Sequence, residues 1–136
     1  CWGMMYLTQA IRDFAGTSHE MVGLFSAEAV MKKPGLTLGY RTMELLHDCI
    51  LGAAGTTARG HEFHYSLLVP SGPLDYACVL RDAGGFPKGQ DGLSIGNVVG
   101  LYTHVHFASQ PQIPKCLVSS VRRTSPRLSV NGGGAR

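Results

Sequence analysis

Apolar residues near the start of the chain recur at helical spacing. Met4, Leu7, Ile11 and Phe14 stand three or four positions apart, the interval that aligns one face of an α-helix. The pattern predicts a helix over residues 4 to 15, closed by Gly16. The period then changes. Met21 to Phe25 is a short apolar run suited to a buried strand, Lys32-Lys33-Pro34-Gly35 interrupts it, and Leu38 to Leu46 reads as a second strand. Gly52 to Thr57 reads as a turn. Arg59 to Val69 has strand character, and Leu74 to Arg81 is predicted to pair with it as a neighbour. Gly84 to Gly92, with two adjacent glycines, Pro87 and Gly89, predicts a loop. Leu93 to Phe107 is the longest extended stretch, and alternation puts Tyr102, His104 and His106 on one side of it. Pro111 and Pro114 restart the chain. Lys115 to Arg123 then predicts a short helix, and Thr124 to Arg136 has the Ser, Pro and Gly content of a disordered end.

Composition narrows the class. At 136 residues and 44% hydrophobic content the chain can bury a core. The net charge of +3 comes from a tail containing Arg122, Arg123, Arg127 and Arg136, and no basic patch interleaved with aromatics points to nucleic acid. No apolar run is long enough to span a membrane, no secretion signal is present, and the four cysteines (Cys1, Cys49, Cys78, Cys116) form no CxxC pair. These features predict a cytoplasmic protein with reduced thiols and no membrane partner. A chain that opens on Cys1 rather than methionine predicts that an N-terminal part has been lost.

Chemistry enters at Cys1-Trp2-Gly3. A cysteine followed two residues later by glycine, and then by a helical pattern, matches the strand-to-helix elbow of a nucleophile. At a helix head the dipole and free amides favour a thiolate and can hold an oxyanion. Trp2 is tolerated if its side chain points away and only its backbone N–H is used. A buried cysteine acting as a small apolar residue is the bland alternative. A thiol needs a base, and His104 is the candidate, arriving from a distant strand; a hydrogen-bonded core histidine is its alternative. The pairs His61/His64 and His104/His106 invite a metal reading, but no carboxylate or cysteine spacing completes a site, so none is assigned. Glu62 is a lone charge in an apolar, aromatic strand and calls for a partner such as Arg59 or a histidine, in a structural ion pair or in the site.

Taken in order, Cys-Trp-Gly-Met-Met-Tyr-Leu, Met21-Val22-Gly23-Leu24, Leu38-Gly39-Tyr40, Arg59-Gly60-His61-Glu62-Phe63-His64-Tyr65-Ser66, Asp91-Gly92-Leu93, Gly96-Asn97-Val98 and Tyr102-Thr103-His104-Val105-His106-Phe107-Ala108-Ser109 resemble the cobyrinic acid a,c-diamide synthase family. The resemblance spans position 1 to about position 123. It implies an α/β, Rossmann-like (flavodoxin-like) class I glutamine amidotransferase domain, incomplete at its N-terminus, over residues 1–123, with a disordered tail over 124–136. By motif match it implies Cys1 as nucleophile, His104 as base and the Trp2 N–H as an oxyanion donor. Many class I relatives carry a glutamate two residues after the histidine. Here His106 fills that slot, and the candidates for an orienting group are His106, Glu62 and His61. The implied substrates are glutamine and, through a synthetase domain outside these residues, a corrin; ATP and magnesium would bind that synthetase domain. A homodimer is compatible with this picture. Trp2 departs from the family's usual Cys-Gly-Gly, and with the upstream elbow strand absent the expectation is little glutaminase activity from these residues alone.

Two rivals are kept. In an N-terminal-nucleophile amidohydrolase the α-amine of Cys1 would be the base, but such enzymes feed the nucleophile from a strand, whereas a helix is predicted here. A degenerate binding module would keep the fold without turnover.

Overall fold

Two β-sheets meet along the short helix that opens the chain. The structure is a computed structural model and describes residues 1–124. In chain order the elements are α1 (Trp2–Tyr6), β1 (Thr8–Arg12), β2 (Ser18–Glu20), β3 (Phe25–Met31), β4 (Thr37–Leu45), β5 (Thr57–His64), β6 (Ser66–Pro70), β7 (Tyr76–Arg81), β8 (Pro87–Ile95), β9 (Val98–Gly100), β10 (His104–Val105), a 3₁₀ turn (Phe107–Ser109) and α2 (Gln112–Thr124). One sheet runs β2-β1-β3-β6 and the other β10-β5-β4-β7-β8-β9. The class is mixed α/β, as expected, with β1 and β3 parallel and the other pairs antiparallel.

Burial explains the layers. Met43, Leu45, Ala58, Cys78 and Leu80 share one face of the six-stranded sheet, and Ile113 and Leu117 of α2 cover it. On the second core, Met4 and Met5 of α1 meet Phe25 and Ala29 of β3, with Leu93 of β8 and Tyr102. The residues that follow Cys1 are therefore wedged where the two sheets join.

Several sequence expectations change. The helix over 4 to 15 ends at Tyr6. The Thr8 hydroxyl lies 2.6 Å from the Met5 carbonyl, and the next residues join β3 as a strand. Only the first turn of the apolar series is buried deeply; Phe14 is exposed, and Gly16 (φ 87°) sits in the turn between β1 and β2, not at a helix end. Met21 to Leu24 is not a strand, because its amides bond back to Gln9, Tyr6 and Thr8; pairing begins at Phe25. The Leu74–Arg81 stretch does not lie beside Arg59–Val69: β7 pairs with β4 and β8, while β6 crosses to the other sheet. The Gly84–Gly92 loop is a tight turn held by the Asp82 carboxylate, which accepts the N–H groups of Gly84 and Phe86. β8 then starts at Pro87, a position where a strand tolerates the missing donor. The long stretch from Leu93 folds into a β8/β9 hairpin, so Tyr102 and His104 do not share a face: Tyr102 is buried and His104 exposed. The short helix is present and begins earlier, at Gln112. The tail expected at 124–136 falls outside the described residues, apart from Thr124 at the end of α2.

Candidate active site

Cys1 is the N-cap of α1, and its carbonyl accepts the Met5 N–H at 3.1 Å. The Trp2 N–H lies outside the helix's own ladder of bonds, as the first amides of any helix do. The Trp2 side chain is 71% exposed, so it turns outward. The thiol donates to the Phe63 carbonyl at 3.8 Å, which ties Cys1 to the C-terminal end of β5.

His104 reaches the same strand. β10 pairs with β5 so that His104 faces His61 and Val105 faces Gly60. The two imidazoles stack with centroids 4.9 Å apart, and His104 Nδ1 lies 3.3 Å from the His61 carbonyl. A carbonyl only accepts, so Nδ1 carries the hydrogen and Nε2 keeps its lone pair. The carbonyls of His61 and Phe63 are two residues apart, so they point to one edge of the strand about 7 Å from each other. One stretch of β5 thus anchors both the thiol and the imidazole.

This approach depends on Gly60. A Cβ there would stand 2.5 Å from the His104 carbonyl oxygen and 2.8 Å from Thr103 Cγ2, so a side chain would push β10 away.

Two of the three orienting candidates, His61 and Glu62, are separated by the alternation of β5, and the third, His106, lies beyond β10. His61 faces outward with His104 and holds it through its carbonyl. Glu62 faces inward, 7% exposed, and does not touch His104. Its partners are Arg41, with Nε at 2.6 Å, and His64, with Nε2 at 3.3 Å. Of the two partners anticipated from sequence, a histidine is found in His64, whereas Arg59 shares the outward parity of His61 and is not among the partners of Glu62. Desolvation pushes the Glu62 carboxyl up, but the hydrogen bonds from His64 and Arg41, with the charges of both, outweigh it and hold the group below its ordinary 4.5. His106 caps the 3₁₀ turn, its N–H bonded to the Arg59 carbonyl at 2.8 Å. Its ring lines a cavity of about 760 Å³ together with Tyr40, Arg41, Arg59, His61 and Ser109.

Sequence reasoning missed the support behind this edge. His64 Nδ1 donates to the Ser66 carbonyl at 2.8 Å and its ring stacks on Tyr102 at 4.1 Å. The Tyr102 and Ser66 hydroxyls bond at 2.9 Å, and Ser66 also contacts Met5 Sδ at 3.2 Å, one turn after Cys1. The buried Asp91 carboxylate accepts the N–H groups of Tyr102 and Thr103. The signal for Asp91 was its place in the Asp91-Gly92-Leu93 motif. Of the other cysteines, Cys78 is pushed up to about 12 by burial, so it is a neutral packing residue and not a second nucleophile.

A thiol at a helix head and an imidazole held to the same strand are the groups a thiol-dependent amidotransferase brings together. Residues 1–112 match the model of the CobB/CobQ-like glutamine amidotransferase domain, and the chain belongs to that family. It is 41% identical over 118 residues to the cobyrinate a,c-diamide synthase of Dehalococcoides mccartyi (strain CBDB1), an alignment covering 85% of this chain and 25% of the relative. It is 34% identical over 124 residues to the Salmonella typhimurium cobyrinate a,c-diamide synthase, covering 90% and 27%. It is 39% identical over 104 residues to the hydrogenobyrinate a,c-diamide synthase of Mesorhizobium japonicum, covering 76% and 24%. The chain therefore spans about a quarter of the length of these relatives. Among the described residues no helix is long and apolar enough to cross a membrane.

Proposed function

We propose that this chain is the glutaminase portion of an ATP-dependent a,c-diamide synthase acting on a corrin. The observation that carries the reading is the double attachment to β5: Cys1 Sγ on the Phe63 carbonyl and His104 Nδ1 on the His61 carbonyl, two residues apart. In this mechanism the Cys1 thiolate attacks the side-chain amide carbon of glutamine, forming a C–S bond. The oxyanion is met by the N–H of Trp2 at the head of α1. His104 Nε2 takes up the thiol proton and hands it to the leaving nitrogen. The C–N bond breaks, ammonia departs, and water attacking the resulting thioester releases glutamate and the free thiol. His61 holds the base in the required tautomer through its carbonyl. His106, two positions on, serves the wall of the adjoining cavity.

Ammonia would then convert a corrin carboxylate to an amide on a synthetase portion outside this chain. ATP and magnesium are assigned to that portion. The hydrogenobyrinate relative supports a second tetrapyrrole as the amidated substrate within the same chemistry. The N-terminal-nucleophile alternative is disfavoured by α1, a helix where such enzymes have a strand.

A diazo-ketone glutamine analogue applied to the intact protein tests the reading. Labelling is expected at Cys1 alone, blocked by excess glutamine, and Cys1→Ser should abolish both labelling and ammonia release. Ammonia release that survives Cys1→Ser would refute it.

A further inference from the structure

We propose that Asp91 is a positioning residue for His104, gripping the backbone that delivers the imidazole to the edge of β5. The inference rests on the reading that His104 is the base.

Asp91 is 3% exposed. Its two carboxylate oxygens accept the N–H groups of Tyr102, at 3.1 Å, and Thr103, at 2.8 Å, the two residues immediately before His104. In this stretch the chain has left β9 at Gly100 and has not yet joined β5, so the carboxylate takes the role a strand neighbour would otherwise have. Without it, two buried amides lose their acceptor. Because peptide units are planar, holding two successive amides fixes the chain as far as the Cα of Thr103 and so limits the course of the residue that follows. That residue is His104.

The grip is itself anchored. Asp91 pairs with Cys78 in the β7/β8 ladder, and its carbonyl accepts the Cys78 thiol at 3.2 Å. Opposite, the bare Cα of Gly60 lets the His104 backbone settle onto β5. His104 is thus fixed between a carboxylate that holds its approach and a glycine that makes room for its landing. Asp91 acts on the approach of His104 through the backbone, without contacting the thiol or the imidazole.

The test compares Asp91→Asn, Asp91→Ser and His104→Asn in the intact protein. Glutamine turnover is normalised to sites titrated with the diazo-ketone analogue, and the pH dependence of Cys1 alkylation by iodoacetamide is recorded. Asp91→Asn keeps the size of the side chain but replaces one acceptor with a donor. Asp91→Ser leaves room for water at the two amides. In whichever of the two folds, kcat per titrated site should fall about 10- to 100-fold, the loss that a misplacement of roughly an ångström produces. KM for glutamine should stay within about twofold, since Asp91 does not meet the substrate. The alkylation profile should move toward that of His104→Asn, a shift that simple loss of folded protein does not produce. Wild-type kcat and an unmoved profile in a folded Asp91 variant, with His104→Asn inactive, would overturn this inference alone. If His104→Asn itself leaves turnover and profile unchanged, the assignment of the base fails first. Failure of both Asp91 variants to fold would assign the carboxylate to the fold and overturn the proposal as well.

Discussion

On the outward face of β5, His61 lies against His104, and the strand's carbonyls hold an imidazole and a thiol at its edge. One residue further along, the inward face carries Glu62 and His64, locked to Arg41, Ser66 and Tyr102. Both faces use histidine, yet they leave it in different states. Both His64 nitrogens face acceptors and its ring is packed on a tyrosine, so nothing remains with which to do chemistry. His104 is exposed and has one nitrogen tied and the other free. On the proposed reading, what distinguishes a working histidine from a structural one is the unspent nitrogen, and the face of β5 that each imidazole meets separates the two.

The largest effect should come from the free nitrogen. His104→Asn is expected to lower glutamine-dependent ammonia release by about 10²- to 10⁴-fold, the range for loss of a general acid–base group. Stability should stay within about 0.5 kcal/mol, because the residue is exposed and its neighbours remain satisfied. Turnover and thermal unfolding measured on the same sample check both halves. A variant that unfolds but keeps its specific activity would erase the contrast between the two faces.

The inward face should respond in stability instead. Arg41 and Glu62 side chains are each only 10% exposed, so Arg41→Met strands a carboxylate and should cost about 3–5 kcal/mol in denaturant unfolding. Adding Glu62→Leu should recover much of that loss, since removing both charges also removes the cost of burying them. The pH dependence follows from the depressed Glu62 value. Its contribution is complete above the unfolded value near 4.5 and is lost as pH falls through the lower folded value. The wild type should therefore weaken with acid below about pH 4.5 more steeply than the double variant. Equal slopes would mean that Glu62 titrates alike in both states.

Gly60→Ala addresses the seam between the faces. The added methyl meets the His104 carbonyl oxygen and Thr103 Cγ2, and displacing packed backbone costs about 1–3 kcal/mol. Because the atoms that must move belong to the arm carrying His104, turnover per folded molecule should fall as well. A stability loss with unaltered turnover would show that β10 can shift without disturbing the base.

These contrasts also mark what could be read in advance. Arg59 to Val69 was legible as strand from its β-forming residues, which are a local property, but the break between β5 and β6 and their passage into different sheets were not. The helix over 4 to 15 did not survive because a three- or four-residue interval says nothing about whether the later residues are buried: Thr8 turns the chain, and pairing with β3 outweighs the helical period. β8 was hidden by its glycines and Pro87, which mimic a loop when the ladder on both sides is unseen. The proposed pairing of Cys1 with His104 came from the motif resemblance, not from spacing, since most of the chain separates the two. Asp91 could be noticed as part of the Asp91-Gly92-Leu93 motif, but its partners are backbone amides eleven and twelve positions away. Amides have no side-chain signature, so its role required the fold.

The smallest expected effect concerns the link between the inward network and α1. The Tyr102 hydroxyl bonds Ser66, which touches Met5 behind the thiol, while the ring is held by stacking on His64 and by burial. Tyr102→Phe removes only the first of these, so the loss should be about 0.5–1.5 kcal/mol, with turnover near wild type. The change has a pH signature. Burial pushes the Tyr102 phenol up from 10 to about 12, against the hydrogen bond with Ser66, so the neutral tyrosine's contribution is full below 10 and disappears as pH rises toward 12. The wild type should lose its margin over Tyr102→Phe across that interval in alkaline unfolding. A margin that persists past it would mean the phenol ionises without disturbing Ser66, and that the hydroxyl pair couples α1 to the strand less tightly than its 2.9 Å separation implies.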